Sequence, residues 1–368
     1  MNRFYILLFM LSGAFVLQTQ AQKNIPLFIG GYTIDNDNEG IYIYDFNTET
    51  GSLNARSKLT CDNPSFLAKN KAQDRVYAVH ELEKGRISAY AFEEDSLKLI
   101  NEMEIDAAGP CHIAIDPEEK FIAVSNYAEG TLSTFLIDEE HKGIGEALQE
   151  IRYEGRGIHP ERQEGPHIHS AFFDDVRDQV HVQDLGTDKM YVYSIDYSDE
   201  EGPRLLLKQV IESQQGGGPR HITFNEDKTV MYALMELSSV IEMYRNIDDQ
   251  WLRVQSIKLN APDFKGQVGA AEIRISKDGK FLYASDRLDS NKIFSFNIGE
   301  NGFLTKAGEW ETFGEGPRGF TLSPEGDFLV VANQLTNNVV VFKINKEEGS
   351  LSPTDHEINT EAPTVVLF

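Results

Sequence analysis

The chain is poor in the residues that would signal several common functions. It carries 34 Lys and Arg against 59 Asp and Glu, a formal net charge of −25. Nucleic acids and anionic membranes are bound through clustered cations, so this deficit excludes nucleic-acid binding as a general activity. The acidic residues are spread through turns such as 35–39 and 199–201 and read as solvated surface. Only two cysteines, Cys61 and Cys111, occur in 368 residues. That is too few for a disulfide scaffold, and a chain this long buries a core without one. They sit near the same point of successive repeats but at different offsets, so two separate buried thiols are expected. There is no Gly-x-Ser-x-Gly elbow, no phosphate-cradling loop and no dinucleotide fingerprint. Gly216-Gly217-Gly218 leads into an apolar strand, not a helix. No stretch reads as a long amphipathic helix.

Long apolar runs are also missing, apart from one at the start. Arg3 precedes an apolar run from Phe4 to Leu17, and Thr19-Gln20-Ala21 is a small-x-small cleavage pattern. The run is too short for a membrane span and ends in a cleavage signal. Residues 1–21 are therefore expected to be a secretory signal peptide, and residues 22–368 a single exported domain, periplasmic or secreted, with no membrane attachment once processed. No Cys follows the cleavage site, which argues against a lipid anchor. Processing removes only Arg3 among the charged residues, leaving 33 basic against 59 acidic, a net −26.

What the chain does contain is a phrase that returns seven times. A Pro- or Gly-marked turn runs into a short apolar strand, crosses a polar turn, and enters a second apolar strand that ends in a polar residue. The phrase starts at Asn63-Pro64, Gly109-Pro110, Gly165-Pro166, Gly218-Pro219, Gly269-Ala270, Gly316-Pro317 and Ala362-Pro363, with spacings of 46, 56, 53, 51, 47 and 46 residues. Short strands at such a period predict an all-β, seven-bladed propeller. The second strands, such as Phe328-Leu329-Val330-Val331-Ala332, are wholly apolar, as burial on both faces requires. Third strands such as Lys292-Ile293-Phe294-Ser295-Phe296 alternate. The seventh phrase stops at Phe368 after one strand. Its blade is completed by three N-terminal strands, the first from Ile25, the second from Gly40 and the third opened by Gly51-Ser52-Leu53, so the ring closes across the chain ends and hides two sheet edges.

A propeller gathers equivalent positions around one axis. The position just after the Gly-Pro turn holds Phe66, His112, His169, His221, Glu272, Gly319 and Val365 in turn. The residue before each is Ser65, Cys111, Ile168, Arg220, Ala271, Arg318 and Thr364, and an extra residue in the third blade sets His167 beside His169. The polar residue ending each second strand is Glu81, Asn126, Asp184, Glu236, Arg287, Gln334 or Tyr32. Strand one leaves a face of the ring and strand two returns to it, so both sets are expected at one opening. Opening a lactone needs a base active near neutrality, which His supplies, and fixed donors where the carbonyl oxygen gains charge, which Arg supplies. His167, His169, Arg220, Glu236 and Arg287 are the expected catalytic set. His221, Glu272, Arg318 and Asp184 are expected to bind substrate. His167 and His169, with His221 or Asp184, form a metal-ligand alternative. The arginines in the same ring argue against a cation, so no metal or cofactor is expected.

Several of these stretches together resemble the lactonase family of seven-bladed propellers, typified by the propeller-type 6-phosphogluconolactonase and the fungal carboxy-muconate cyclase. They are Gly30-Gly31-Tyr32-Thr33, Gly165-Pro166-His167-Ile168-His169, Asp184-Leu185-Gly186, Gly217-Gly218-Pro219-Arg220-His221, Ala271-Glu272-Ile273 with Ser276-Lys277-Asp278-Gly279, Tyr283-Ala284-Ser285-Asp286-Arg287, and Gly316-Pro317-Arg318. The resemblance implies a metal-free activity on a sugar lactone or muconolactone. In the cyclase branch it implies a His, two Arg and a Glu, which fall here on His167 or His169, Arg220 with Arg287, and Glu236. Arg287 fits better than Arg274 because it ends a second strand. Two features depart from the family pattern: Asp286 stands where Asn is usual, and the N-terminus reads as an export signal although the phosphorylated lactone is a cytosolic metabolite. The leading expectation is an exported, monomeric sugar-lactone hydrolase. The alternatives are a non-catalytic binding propeller and a muconate-type cycloisomerase.

Overall fold

A computed structural model describes residues 23–33 and 39–368; the expected signal peptide lies outside the described residues. Among these residues every regular element is a strand, 28 in all, arranged as seven four-stranded antiparallel sheets. The seven-bladed propeller expected from the repeats is the observed architecture. Each blade takes consecutive strands in order, apart from the closing one. There β28 (Pro363–Leu367) pairs with β1 (Asn24–Gly31), followed by β2 (Gly40–Asn47) and β3 (Leu53–Thr60).

The core is not one mass but seven apolar wedges, one between each pair of neighbouring blades. The second strands explain this. β17 (Val230–Met235), β21 (Phe281–Asp286) and β25 (Phe328–Asn333) are buried along their whole length, so both faces pack against a neighbouring sheet. The closing strand is part of this packing, since Val366 lies in the wedge with Leu27, Ile29 and Phe46. Removal of Pro363–Phe368 should therefore do more than shorten the chain. It deletes buried Val365 and Val366, each worth ~1.5–3 kcal/mol, and bares the inner edge of β1. Thermal unfolding of the truncated chain should lose its cooperativity or fall well below full length; an unchanged Tm would contradict the closure.

The turn that opens each phrase has a stereochemical cause. Asn63, Gly109, Gly218, Gly316 and Ala362 all take positive φ, between 40° and 70°. Glycine tolerates that region at no steric cost, and the proline that follows sets the next φ. In each case the residue's carbonyl accepts from the amide just past the second strand, as in Glu236 N–H to Gly218 and Tyr127 N–H to Gly109. In the third blade the residue making this bond is His167, which accepts from Leu185. Gly165-Pro166 thus stands two residues ahead of the equivalent turn, and the expected offset of one extra residue is two.

Inner strands begin with a β-bulge. The register shifts between Pro110 and His112 in β8 (Pro110–Ile115), Ile168 and Ser170 in β12 (Ile168–Asp174), Pro219 and His221 in β16 (Pro219–Phe224), and Pro317 and Gly319 in β24 (Pro317–Leu322). The bulged residues are Cys111, His169, Arg220 and Arg318. A bulge re-aims one side chain without ending the ladder, and here it turns these four toward the mouth of the channel.

Candidate active site

At that mouth lies a pocket of about 350 Å³, lined by Tyr32, Glu81, Cys111, Tyr127, Arg162, His169, Glu236, Val268, Gly269, Arg287, Leu288 and Arg318. Eight of these residues come from the bulges and from the position just past a second strand; Arg162, Val268, Gly269 and Leu288 come from connections. In the second blade the position past the second strand is Tyr127, not Asn126, and in the third it is Leu185, not Asp184. The strands there, β9 (Phe121–Asn126) and β13 (Gln179–Asp184), include the polar residue as their last paired member.

Glu236 is the electrostatic centre. It is 5% exposed. Arg162 Nη2 donates to its Oε1 at 2.6 Å, while Arg287 Nη2 and Arg220 Nε lie 3.1 and 2.9 Å from Oε2. The Arg220 contact has ion-pair distance without hydrogen-bond alignment. Burial alone would raise the Glu236 pKa, but Arg287, Arg220 and Arg162 outweigh it and bring it to about 2. Arg220 also donates to the Ala271 carbonyl. Burial and the nearby Arg287 lower its pKa to about 10 despite Glu236, so it remains charged at neutral pH.

His169 Nε2 lies 3.9 Å from Glu236 Oε2. Burial, then Arg220, His221 and Arg318, hold this imidazole well below its ordinary pKa, so it is neutral at pH 7. Its Nδ1 has no hydrogen-bond partner among the described residues. On the opposite wall Arg318 donates to the Tyr32 hydroxyl at 2.8 Å, which donates to Glu81 at 2.8 Å.

Sequence-expected residues divide into three depths. His169, Glu236, Arg287 and Arg318 line the pocket, with Arg220 directly beneath. His167 stands outside the lining: its ring stacks on Tyr127 with centroids 4.4 Å apart, Nδ1 meets the Tyr127 carbonyl, and Nε2 lies 3.2 Å from Glu164. His221 and Glu272 lie one residue deeper in the channel. His221 Nδ1 is 3.2 Å from Glu272 Oε1, and its ring packs on those of His112 and Phe66. Asp184 is fully buried and accepts from the amides of His167, Gly186 and Thr187 and from the Thr187 hydroxyl, so it shapes the turn that carries His167. Cys61 and Cys111 are separate free thiols; Cys111 is buried and Cys61 half-buried. Arg162, Tyr127, Glu81 and Tyr32 complete the pocket. Sequence reasoning missed Arg162; its one signal was the 56-residue spacing, the longest in the set, which marks extra chain in that blade.

Buried neutral histidines, in the channel and elsewhere in the blades, couple the stability of the fold to pH. His80, His112, His169, His181 and His221 all have pKa values lowered first by burial, to about 3 for His181 and about 4 for His221. The unfolded chain protonates them near 6.5 and the folded chain does not. Their contribution is complete above pH 6.5 and is lost as pH falls toward 4. Each proton taken up on unfolding lowers stability by about 1.4 kcal/mol per pH unit. Denaturant titrations from pH 7.5 to 4 should show this decline; a flat profile would contradict neutral burial.

A seven-bladed ring with an arginine-rich pocket at one end of its channel defines the class of protein by its fold and candidate site. The chain belongs to the family described as Lactonase, 7-bladed beta-propeller, whose model matches residues 26–368. It is 35% identical over 341 residues to a 6-phosphogluconolactonase of Formosa agariphila, covering 90% of this chain and 96% of that one. It is 32% identical over 352 residues to a 6-phosphogluconolactonase of Bacillus subtilis, covering 93% and 97%. The solved periplasmic gluconolactonase of Pseudomonas aeruginosa superposes with a TM-score of 0.89 at 26% identity, covering 93% of this chain and 98% of that one.

Proposed function

We propose that the chain hydrolyses sugar lactones at the channel-mouth pocket, after export. The observation that carries this is a neutral imidazole, His169, facing a carboxylate that three guanidinium groups keep ionised. Neutral His169 takes a proton from water as the water oxygen attacks the lactone carbonyl. Arg287 and Arg220 face the oxygen that gains charge. Glu236 stabilises the imidazolium that forms and orients the arginines. Collapse of the tetrahedral intermediate breaks the ring C–O bond, and the imidazolium returns its proton to the departing alkoxide. Glu272 and His221 support Arg220 from below: a neutral His221 donates through Nδ1 to Glu272 and turns Nε2 toward Arg220 Nη1, 3.4 Å away. Export rests on the leader pattern of residues 1–21, with the periplasmic relative in support.

The test is direct. Purified chain should accelerate the opening of glucono-1,5-lactone, galactonolactone or their phosphorylated forms above the spontaneous rate. Failure on the whole panel, with native folding confirmed, would leave the binding-propeller reading.

A further inference from the structure

We propose that Arg162 is the residue that selects the substrate, by clamping an oxyanion substituent (a carboxylate or a phosphate) on the part of the lactone that faces the opening. The inference rests on the lactone reading above and extends it to a substrate class and a residue outside the catalytic set.

Four observations support it. First, Arg162 is not supplied by a blade strand. It sits on the connection between β11 (Ile144–Arg152) and β12, the only part of that chain segment to reach into the pocket lining. Second, the connection is a fixed strap. Gln163 is 1% exposed, and its side chain donates to the Leu185 carbonyl at 2.9 Å and to Asp188 Oδ1 at 2.7 Å. Its Oε1 accepts from the His159 amide at 3.1 Å, and its own backbone bonds to His159 and Gly157. Asp188 in turn accepts from the amides of Gly216 and Gly218 in the next blade. Arg162 is therefore held at the mouth by its neighbour, and the part of its side chain that does not meet Glu236 and Tyr127 is left for ligand.

Third, the charges lining the pocket do not balance. Arg162, Arg287 and Arg318 line it, with Arg220 beneath, and among the described residues the only carboxylates in that lining are Glu236 and Glu81; Glu164, Glu272 and Asp286 act on these arginines from outside it. Three of the four cations share a single carboxylate. A local positive excess in a partly desolvated pocket attracts an anion and repels a second cation. Fourth, Arg162 is the cation best placed to receive it. Its side chain is 41% exposed, against 4% for Arg220 and 15% for Arg287. Its bonds to Glu236 and to the Tyr127 hydroxyl both use Nη2. Nη1 and Nε make no hydrogen bond to the protein among the described residues. That leaves a guanidinium edge of the kind that carboxylate and phosphate oxygens match in a two-point contact.

A purely structural Arg162 would hold Glu236 in place and affect all ligands alike. A clamp affects charged ligands selectively. Isothermal titration of the full chain should separate the two, using gluconate, glucarate and 6-phosphogluconate. The acids share a carboxylate from ring opening and differ in the substituent at the far end. Wild type should bind glucarate or 6-phosphogluconate more tightly than gluconate, and whichever is preferred tells carboxylate from phosphate. In Arg162→Gln the preference should shrink about tenfold or more, and Arg162→Lys should restore part of it. The ratio of kcat/KM for 6-phosphogluconolactone over glucono-1,5-lactone should fall in the same order. No preference in wild type, or one unchanged in Arg162→Gln, overturns the clamp. Lactone opening with an unchanged ratio overturns the clamp and spares the hydrolase. Selective anion binding lost in Arg162→Gln, with no lactone opened, upholds the clamp and removes the hydrolase.

Discussion

Replacing Glu236 by Gln should destabilise the chain by ~3–5 kcal/mol, because breaking a buried ion pair from one side leaves its partners uncompensated. Here the partners are three guanidinium groups within 3.1 Å of the carboxylate. The shift of Glu236 from 4.5 to about 2 gives a similar figure, ~3 kcal/mol at 1.36 kcal/mol per pH unit. The sign follows from a lowered carboxyl pKa. The contribution is present above pH 4.5 and is lost as pH falls through 2, where Glu236 is itself protonated. Urea denaturation of wild type and Glu236→Gln should therefore differ most near neutrality and converge in acid. Adding Arg287→Met to the variant should recover part of the loss, since it removes one of the stranded charges; the double mutant should be more stable than the sum of the two changes predicts. Equal stability of Glu236→Gln and wild type at pH 7 would mean that the three contacts contribute nothing net.

The second large effect is kinetic. If His169 is the base, His169→Asn should lower kcat by roughly 10²–10⁴, the range for losing a positioned general base. His167→Asn should cost far less, because that ring lies against Tyr127 outside the pocket lining. The pH profile adds a check. Burial and surrounding positive charge lower the His169 pKa, so the basic form persists well into acid. The wild-type plateau should extend below pH 6.5 instead of breaking there, and the acid limb should be absent from the residual rate of His169→Asn. A break at the ordinary imidazole pKa, or a His169→Asn enzyme within twofold of wild type, would remove His169 from the role.

The same pair of histidines marks how far the sequence could be read. Seven phrases, their apolar second strands and the split blade were all legible, because each depends on local patterning: strand alternation, turn stereochemistry, and a chain that ends one strand into a repeat. The positive φ of Gly109, Gly218 and Gly316 even explains why those turns are written with glycine. Choosing between His167 and His169 was not legible. It turns on a two-residue offset in one blade and on a bulge that shifts which side chain faces the mouth. In an extended strand, a shift of one residue reverses every side chain. Asp184, His221 and Glu272 were placed beside the pocket on the same reasoning, and the offset and the bulge move them into the turn and the channel instead.

Architecture and ring closure were thus legible in the order of amino acids, as was the convergence of His169, Glu236, Arg287 and Arg318 on one mouth, since short-range preferences recur every 46 to 56 residues. Tertiary structure alone decided which imidazole meets Glu236, that one carboxylate serves three guanidinium groups, and that Arg162 arrives from a connecting strap. Those outcomes depend on Coulomb interactions and burial summed over blades far apart in sequence, and no local pattern encodes such a sum.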